Sequence, residues 1–178
     1  MAHVFKRGKM MSGVADVALA NAIAEVDMPD GSLVKLGELA SDTTYDSEGK
    51  EYDTYVATAP EAATDEVVIV DYAGISEGAI AGNEYKMGNK LYDLTVPAGE
   101  ITRVRRLYLH DKFWLGEDNF ASAPTVGQYA IAKAGEFTHE PAADKPTSGY
   151  GIKILLSEDL TAGMASKGNI YLCEVVSL

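Results

Sequence analysis

The sharpest chemical motif in the chain is Gly74-Ile75-Ser76-Glu77-Gly78, a G-x-S-x-G pattern that directly follows the strand-like run Glu66 to Ala73. A serine on a tight strand-to-helix turn is the nucleophile elbow of α/β-hydrolases. Asp93 or Asp111, followed by His139, would complete a Ser, acid, His order. The surroundings do not suit that chemistry. Gly78, Gly82 and Gly88 interrupt the segment that should be a helix. No HGGG-like oxyanion segment lies upstream, and the strand–helix alternation of a hydrolase is missing. The motif reads more simply as a glycine turn after a buried strand, with a small serine hydrolase using Ser76 and His139 kept as the alternative.

Other chemistries have less support. His3, His110 and His139 are scattered, and no Cys or His pair has zinc spacing. His110-Asp111 reads as a strand end with a solvated turn. Asp46-Ser47-Glu48-Gly49 lacks the alternating ligands and closing Glu of a calcium loop. Gly82 to Lys90 has the wrong spacing for a P-loop and carries Asn89 where Lys is needed. Cys173, in NIYLCEVVSL, reads as a buried small hydrophobe beside Glu174 rather than a reactive thiol. The sequence therefore points to no catalytic residue, no metal and no cofactor.

The basic residues fall in two places. Lys6, Arg7 and Lys9 sit with Phe5 in the first dozen residues, and Arg103, Arg105 and Arg106 form the densest later group. On a strand, Arg103 and Arg105 share a face and Arg106 takes the other. Pairing with the chain's own carboxylates is one use for them, and contact with an acidic partner is the other. The net charge of −12 excludes nonspecific nucleic-acid binding, which needs cations to displace counterions from phosphates. It also disfavours docking on an anionic membrane. No stretch is apolar for the roughly 20 residues of a membrane helix.

The elements that would position these residues are mostly strands. A chain of 178 residues builds a core without staples. Val14 to Ile23 suits a helix or a strand, and Pro29-Asp30-Gly31 is a strong turn signal with a return strand over Ser32 to Leu36. Thr54 to Thr58 is a short strand closed by Pro60. Val67 to Val70 are all β-branched, as in a strand buried on both faces. Ile101 to Leu109, the alternation at Tyr129 and Ile131, the parity of Tyr150, Ile152, Ile154 and Leu156, and Ile170 to Val176 give further strands. Phe113 and Trp114 are adjacent, so only one of them faces inward, and the larger Trp114 is expected to be the core residue. The expected fold is all-β, a small barrel or sandwich with little helix. Residues 1–12 are read as an extended basic arm and 13–178 as one β-rich domain, divisible into two lobes near 93–100 around Pro97-Ala98-Gly99.

The order of these parts is similar to that of small head proteins of tailed bacteriophages. Glu25 to Val34 (EVDMPDGSLV) resembles their "D-x-x-N-G-x-L-V" opening, with Asp30 where Asn is usual. Tyr55 to Pro60 and the strand at Val67 to Val70 follow. Ala98 to Arg105 resembles "A-G-x-x-x-R", and Leu109 to Leu115 resembles "L-x-x-G-D-x-F-x-(I/V)", with Asp111-Lys112 in place of Gly-Asp; YLCEVV closes the series. The resemblance implies a capsid decoration or auxiliary head protein, made in the host cytoplasm, that binds the outer surface of the phage major capsid protein shell. It brings no catalytic residues. Self-association as a trimer or dimer is expected, and the contact candidates are Phe5, Lys6, Arg7, Lys9, Arg103, Arg105 and Arg106. A glycan-binding tail or fibre module, using Tyr45, Tyr52 and Tyr55, is a further alternative.

Overall fold

The computed structural model describes residue 3 and residues 5–10, 19–40, 44–45, 51–52, 54–72, 94–162 and 165–178. Within them the protein is all-β. Strands β2 (Leu19–Ile23), β4 (Leu33–Leu39), β7 (Thr54–Thr58), β8 (Val68–Val70) and β10 (Thr102–Arg105) close a barrel in the order β10-β2-β7-β4-β8. Strands β1 (Phe5–Arg7), β11 (Lys112–Gly116), β12 (Tyr129–Ala132), β13 (His139–Ala142), β14 (Gly151–Ala162) and β15 (Ala165–Ser177) form a six-stranded sheet in the order β1-β11-β15-β14-β12-β13. Two short pairs complete the set: β3 (Met28–Pro29) with β9 (Thr95–Val96), and β5 (Thr44–Tyr45) with β6 (Glu51–Tyr52). A 3-10 turn, Glu117–Asn119, follows β11. An isolated parallel bridge then joins Phe120 to His139 on β13.

The barrel and the sheet have separate cores that share a wall. Ala22, Met28, Val34, Val68, Val70, Val96 and Val104 fill the barrel. Phe5, Phe113, Leu115, Tyr150, Ile152, Ile154 and Cys173 fill the sheet side. Side chains alternate along a strand. Val34, Val68 and Val104 therefore point into the barrel, while Leu33 and Ile69 point out of it and into the sheet core. Arg105 pairs with Ile69, and Ile69 with Leu33, so these three make one row facing the sheet. This is why β8 is apolar on both faces, as its unbroken run of β-branched residues requires.

Pro97-Ala98-Gly99 falls between β9, which pairs with β3, and β10, which belongs to the barrel; the next strand, β11, belongs to the sheet, as does β1 at the start of the chain. Two expectations need correction. The N-terminal segment is extended but is no free arm. Phe5–Arg7 is a strand of the sheet, paired with Phe113–Leu115, and Phe5 is buried against the Phe113 ring at 5.5 Å. Finally, Phe113 rather than Trp114 faces the core. Phe113 and Leu115 share the inward parity and are both 0% exposed, which leaves Trp114 half-buried on the other face, opposite Lys6 and Leu172.

Candidate functional site

The shared wall carries the densest chemistry among the described residues. The turn between β3 and β4 places Asp30. Gly31 there has φ of +80°, and Ser32 N–H donates to Pro29 O at 3.1 Å. A positive φ at this turn position is where glycine has no steric penalty. The end of β8 places Asp71, and the end of β10 places Arg105. Arg105 donates to Asp71 Oδ2 from Nε at 3.0 Å and from Nη2 at 2.7 Å. Arg7 on β1 reaches the same oxygen from the surface, with Nε at 3.5 Å. Asp30 accepts from Phe5 N–H at 2.9 Å and from Tyr72 N–H at 3.0 Å. Asn119 donates from Nδ2 to the backbone oxygen of Asp30 and accepts from Gly116 N–H.

Asp30, Asp71 and Arg105 are all buried. Burial pushes the Asp30 carboxyl up to about 7; the N–H groups of Phe5 and Tyr72 oppose the shift, and nearby Asp71 adds to it. Behind this group lies His139. Its Nε2 is 3.2 Å from Gly31 O and its Nδ1 3.2 Å from the Tyr150 hydroxyl. A carbonyl can only accept, so Nε2 carries the proton and Nδ1 accepts from Tyr150. Burial holds the His139 imidazole down at about 4 and raises the Tyr150 hydroxyl well above its ordinary range.

This arrangement joins parts of the molecule together. Its acids are enclosed, and its arginine is directed at a carboxylate. The group ties β1, the barrel and the sheet with bonds whose loss would strand a buried charge.

Most sequence-derived candidates find other places. Ser76 and Asp93 lie outside the described residues, as do Asp46 to Gly49 and Gly82 to Lys90. Asp111, expected in a solvated turn, is fully buried. Its Oδ2 accepts from Tyr108 N–H at 3.0 Å, and exposed His110 takes the positive φ of +70° that closes the turn. The His110 ring meets Glu174 at 3.0 Å. Cys173 is buried as expected, with its thiol pushed far up. Phe5 and Arg105 are corrected as surface contacts, because one sits in the core and the other is sealed against Asp71. Lys6, Arg7, Lys9 and Arg106 are exposed, and Arg103 is half-buried. Arg106 lines a groove of about 550 Å³ with Glu66, Tyr108 and Leu178. Among the described residues, no three His, Cys, Asp or Glu side chains gather to hold a metal, and no helix is long and apolar enough to cross a membrane.

The sequence reading missed Asp30 and Asp71 as members of this group. A signal was present for one of them: an acid, Asp71, follows directly on the apolar strand Val68–Val70. Compared with models of protein families, with curated protein sequences and with solved structures, the chain finds no match.

Proposed function

We propose that this chain is a non-enzymatic structural protein of a tailed-bacteriophage head, one that binds the outer surface of the assembled capsid shell. The reading rests on the ordered series of head-protein-like segments from Glu25 to Val176. Those segments supply the turn that holds Asp30, the strands β7, β8 and β10, and the core strands β11 and β15. A decoration protein needs a fastened body, a contact surface and high solubility. The buried acid–arginine group serves the first need and the net charge of −12 the last. The exposed Lys6, Arg7, Lys9 and Arg106 are the candidates for a partly electrostatic contact. The hydrolase alternative is weakened by His139, whose two ring nitrogens are both engaged inside the core.

Cosedimentation with assembled empty capsids tests the proposal. Saturable binding to expanded shells that weakens as salt rises is the expected result, because exposed charges are screened over about 8–10 Å at physiological ionic strength. Failure to bind assembled shells, together with capture by free capsid subunits or by host glycans, would refute it.

A further inference from the structure

The outer face of the six-stranded sheet carries an apolar row. Lys6, Trp114, Leu172 and Leu156 stand side by side across β1, β11, β15 and β14. Phe113, Cys173 and Ile154 beside them are fully buried, so by alternation the row faces away from the core. Trp114 and Leu172 are half-buried there, and Leu156 is 44% exposed. Strand parity would send Leu156 inward after Ile152 and Ile154. The register shift between Ile154 and Leu156 turns it outward, opposite Leu172. Irregularities of this kind re-aim side chains, and here the result is a leucine moved from the core to the row that holds the chain's single tryptophan. Tryptophan is among the residues that most often anchor an interface.

The next row along the strands is charged and consists of Lys112, Glu174 and Lys153. Lys112 Nζ lies 3.6 Å from Glu174 Oε2. On the other side of the apolar row, Ile170 stands between Gly116 and Glu158. We propose that this face packs on the same face of a second copy of the chain, as a two-fold dimer whose axis runs along the strands between β11 and β15. Such an axis exchanges β11 with β15 and β1 with β14, and keeps each row opposite its own image. Trp114 then lies over Leu172 of the second copy, and Lys6 over its Leu156. Lys112 lies over the second copy's Glu174, and Glu174 over its Lys112. A Lys–Glu pair laid on its own image in this way meets opposite charge at both positions, which is the self-complementarity an isologous contact requires. An axis across the strands, through the apolar row, would instead set Lys6 against Lys6. The face also suits two acidic bodies. Although the chain carries a net charge of −12, this surface sets Lys6, Lys112 and Lys153 against Glu158 and Glu174. This contact stands apart from the capsid reading, since it needs only the chain itself.

The patch is small. The five residues of β11 run about 17 Å and four strands span about 19 Å, a footprint of about 300 Å². Standard stable interfaces take roughly 800 Å² from each partner, so the dimer should be weak and come apart on dilution. Sedimentation equilibrium from micromolar to millimolar protein tests it, at about 0.15 M salt, where charges more than about 8 Å apart are largely screened. A monomer–dimer equilibrium is expected. Trp114 gives a second reading in the unmodified protein. Its emission should move to shorter wavelength, and its quenching by acrylamide should fall, over the same concentrations. Leu156→Glu should weaken association by about tenfold or more, because it would bury an unpaired charge. Its urea midpoint should hardly move, since the position is exposed in one copy. Lys112→Glu should weaken association too, and Lys112→Glu/Glu174→Lys should recover it by restoring opposite charges in every pair. A chain that stays monomeric throughout overturns the proposal. So does a trimer, because a three-fold axis cannot lay this face on itself. A dimer that keeps the monomer's Trp114 emission and survives Leu156→Glu also overturns it.

Discussion

Asp30 and His139 should pull stability in opposite directions across the same pH window, and each should conceal the other. Asp30 is raised to about 7 from 3.8, roughly three units. At about 1.4 kcal/mol per unit this is about 4 kcal/mol of linkage. The folded protein holds this proton more tightly than the unfolded chain. The contribution is therefore complete below the unfolded value and is lost as pH rises through 7. His139 is lowered to about 4 from 6.5, which amounts to about 3 kcal/mol. Here the unfolded chain binds the proton more tightly, so stability is lost as pH falls from 6.5 towards 4. Between those values the two slopes nearly cancel, and the stability of the unmodified protein should change by only about 1 kcal/mol.

Single substitutions should expose each slope. Asp30→Asn removes the opponent of His139, so the His139 contribution should fall by about 3 kcal/mol from neutral pH to about pH 4, in the same direction as the smaller losses from the lowered carboxylates Asp65, Glu136 and Glu174. His139→Gln removes the opponent of Asp30, so the Asp30 contribution should fall by about 3 kcal/mol when pH rises over the same range. Urea unfolding followed by the fluorescence of Trp114 measures both, with m-values checked for constancy. Stability–pH profiles of the two variants that run parallel to the unmodified profile would refute the reasoning. So would slopes of the same sign.

Arg105→Met should cost about 3–5 kcal/mol in urea unfolding, because it leaves Asp71 buried with only the 3.5 Å approach of Arg7. Adding Asp71→Leu should restore much of that loss, and strictly additive costs in the double variant would contradict the pairing. Phe113→Ala should cost about 3–5 kcal/mol, and Trp114→Ala less despite the larger ring. A greater loss for Trp114 in the same measurement would reverse the assigned parity. Gly31→Ala should cost about 2–4 kcal/mol, since φ is positive there and a Cβ would lie 2.9 Å from Asn119 Nδ2 and 3.0 Å from a Leu115 methyl. Thermal unfolding checks this, and an unchanged midpoint would contradict it.

What the sequence made legible was local. The Pro29-Asp30-Gly31 turn, the strand Thr54–Thr58 and the doubly buried run ending at Val70 can each be read from adjacent residues. Tyr150, Ile152 and Ile154 follow their expected parity into the core. The pattern breaks at Leu156, which is 44% exposed, because a register shift lies between Ile154 and Leu156. The role of Arg105 was hidden for a different reason. Strand periodicity gives the face of its side chain relative to the barrel, and that face is outward. Only the packing of a second sheet against β4, β8 and β10 turns outward into buried. The choice between Phe113 and Trp114 failed for a related reason. Parity states that the two differ, and ring size does not decide which one meets the core.

The same burial changes how the proposed capsid contact should be tested. Deleting residues 1–12 would remove a sheet strand, take the Phe5 ring from the core and uncover Asp30, so lost binding would report lost structure. Lys6 and Lys9 are exposed, and their side chains can be changed without touching the Phe5 anchor. A Lys6→Glu/Lys9→Glu double variant should keep its urea midpoint, because exposed substitutions usually alter stability by no more than about 0.5 kcal/mol. If these lysines face the shell, the variant should cosediment more weakly with capsids and show a shallower salt dependence than the unmodified protein. Unchanged binding and salt dependence would move the contact away from the N-terminal segment, leaving Arg106 and its groove beside Tyr108 as the next basic surface to test.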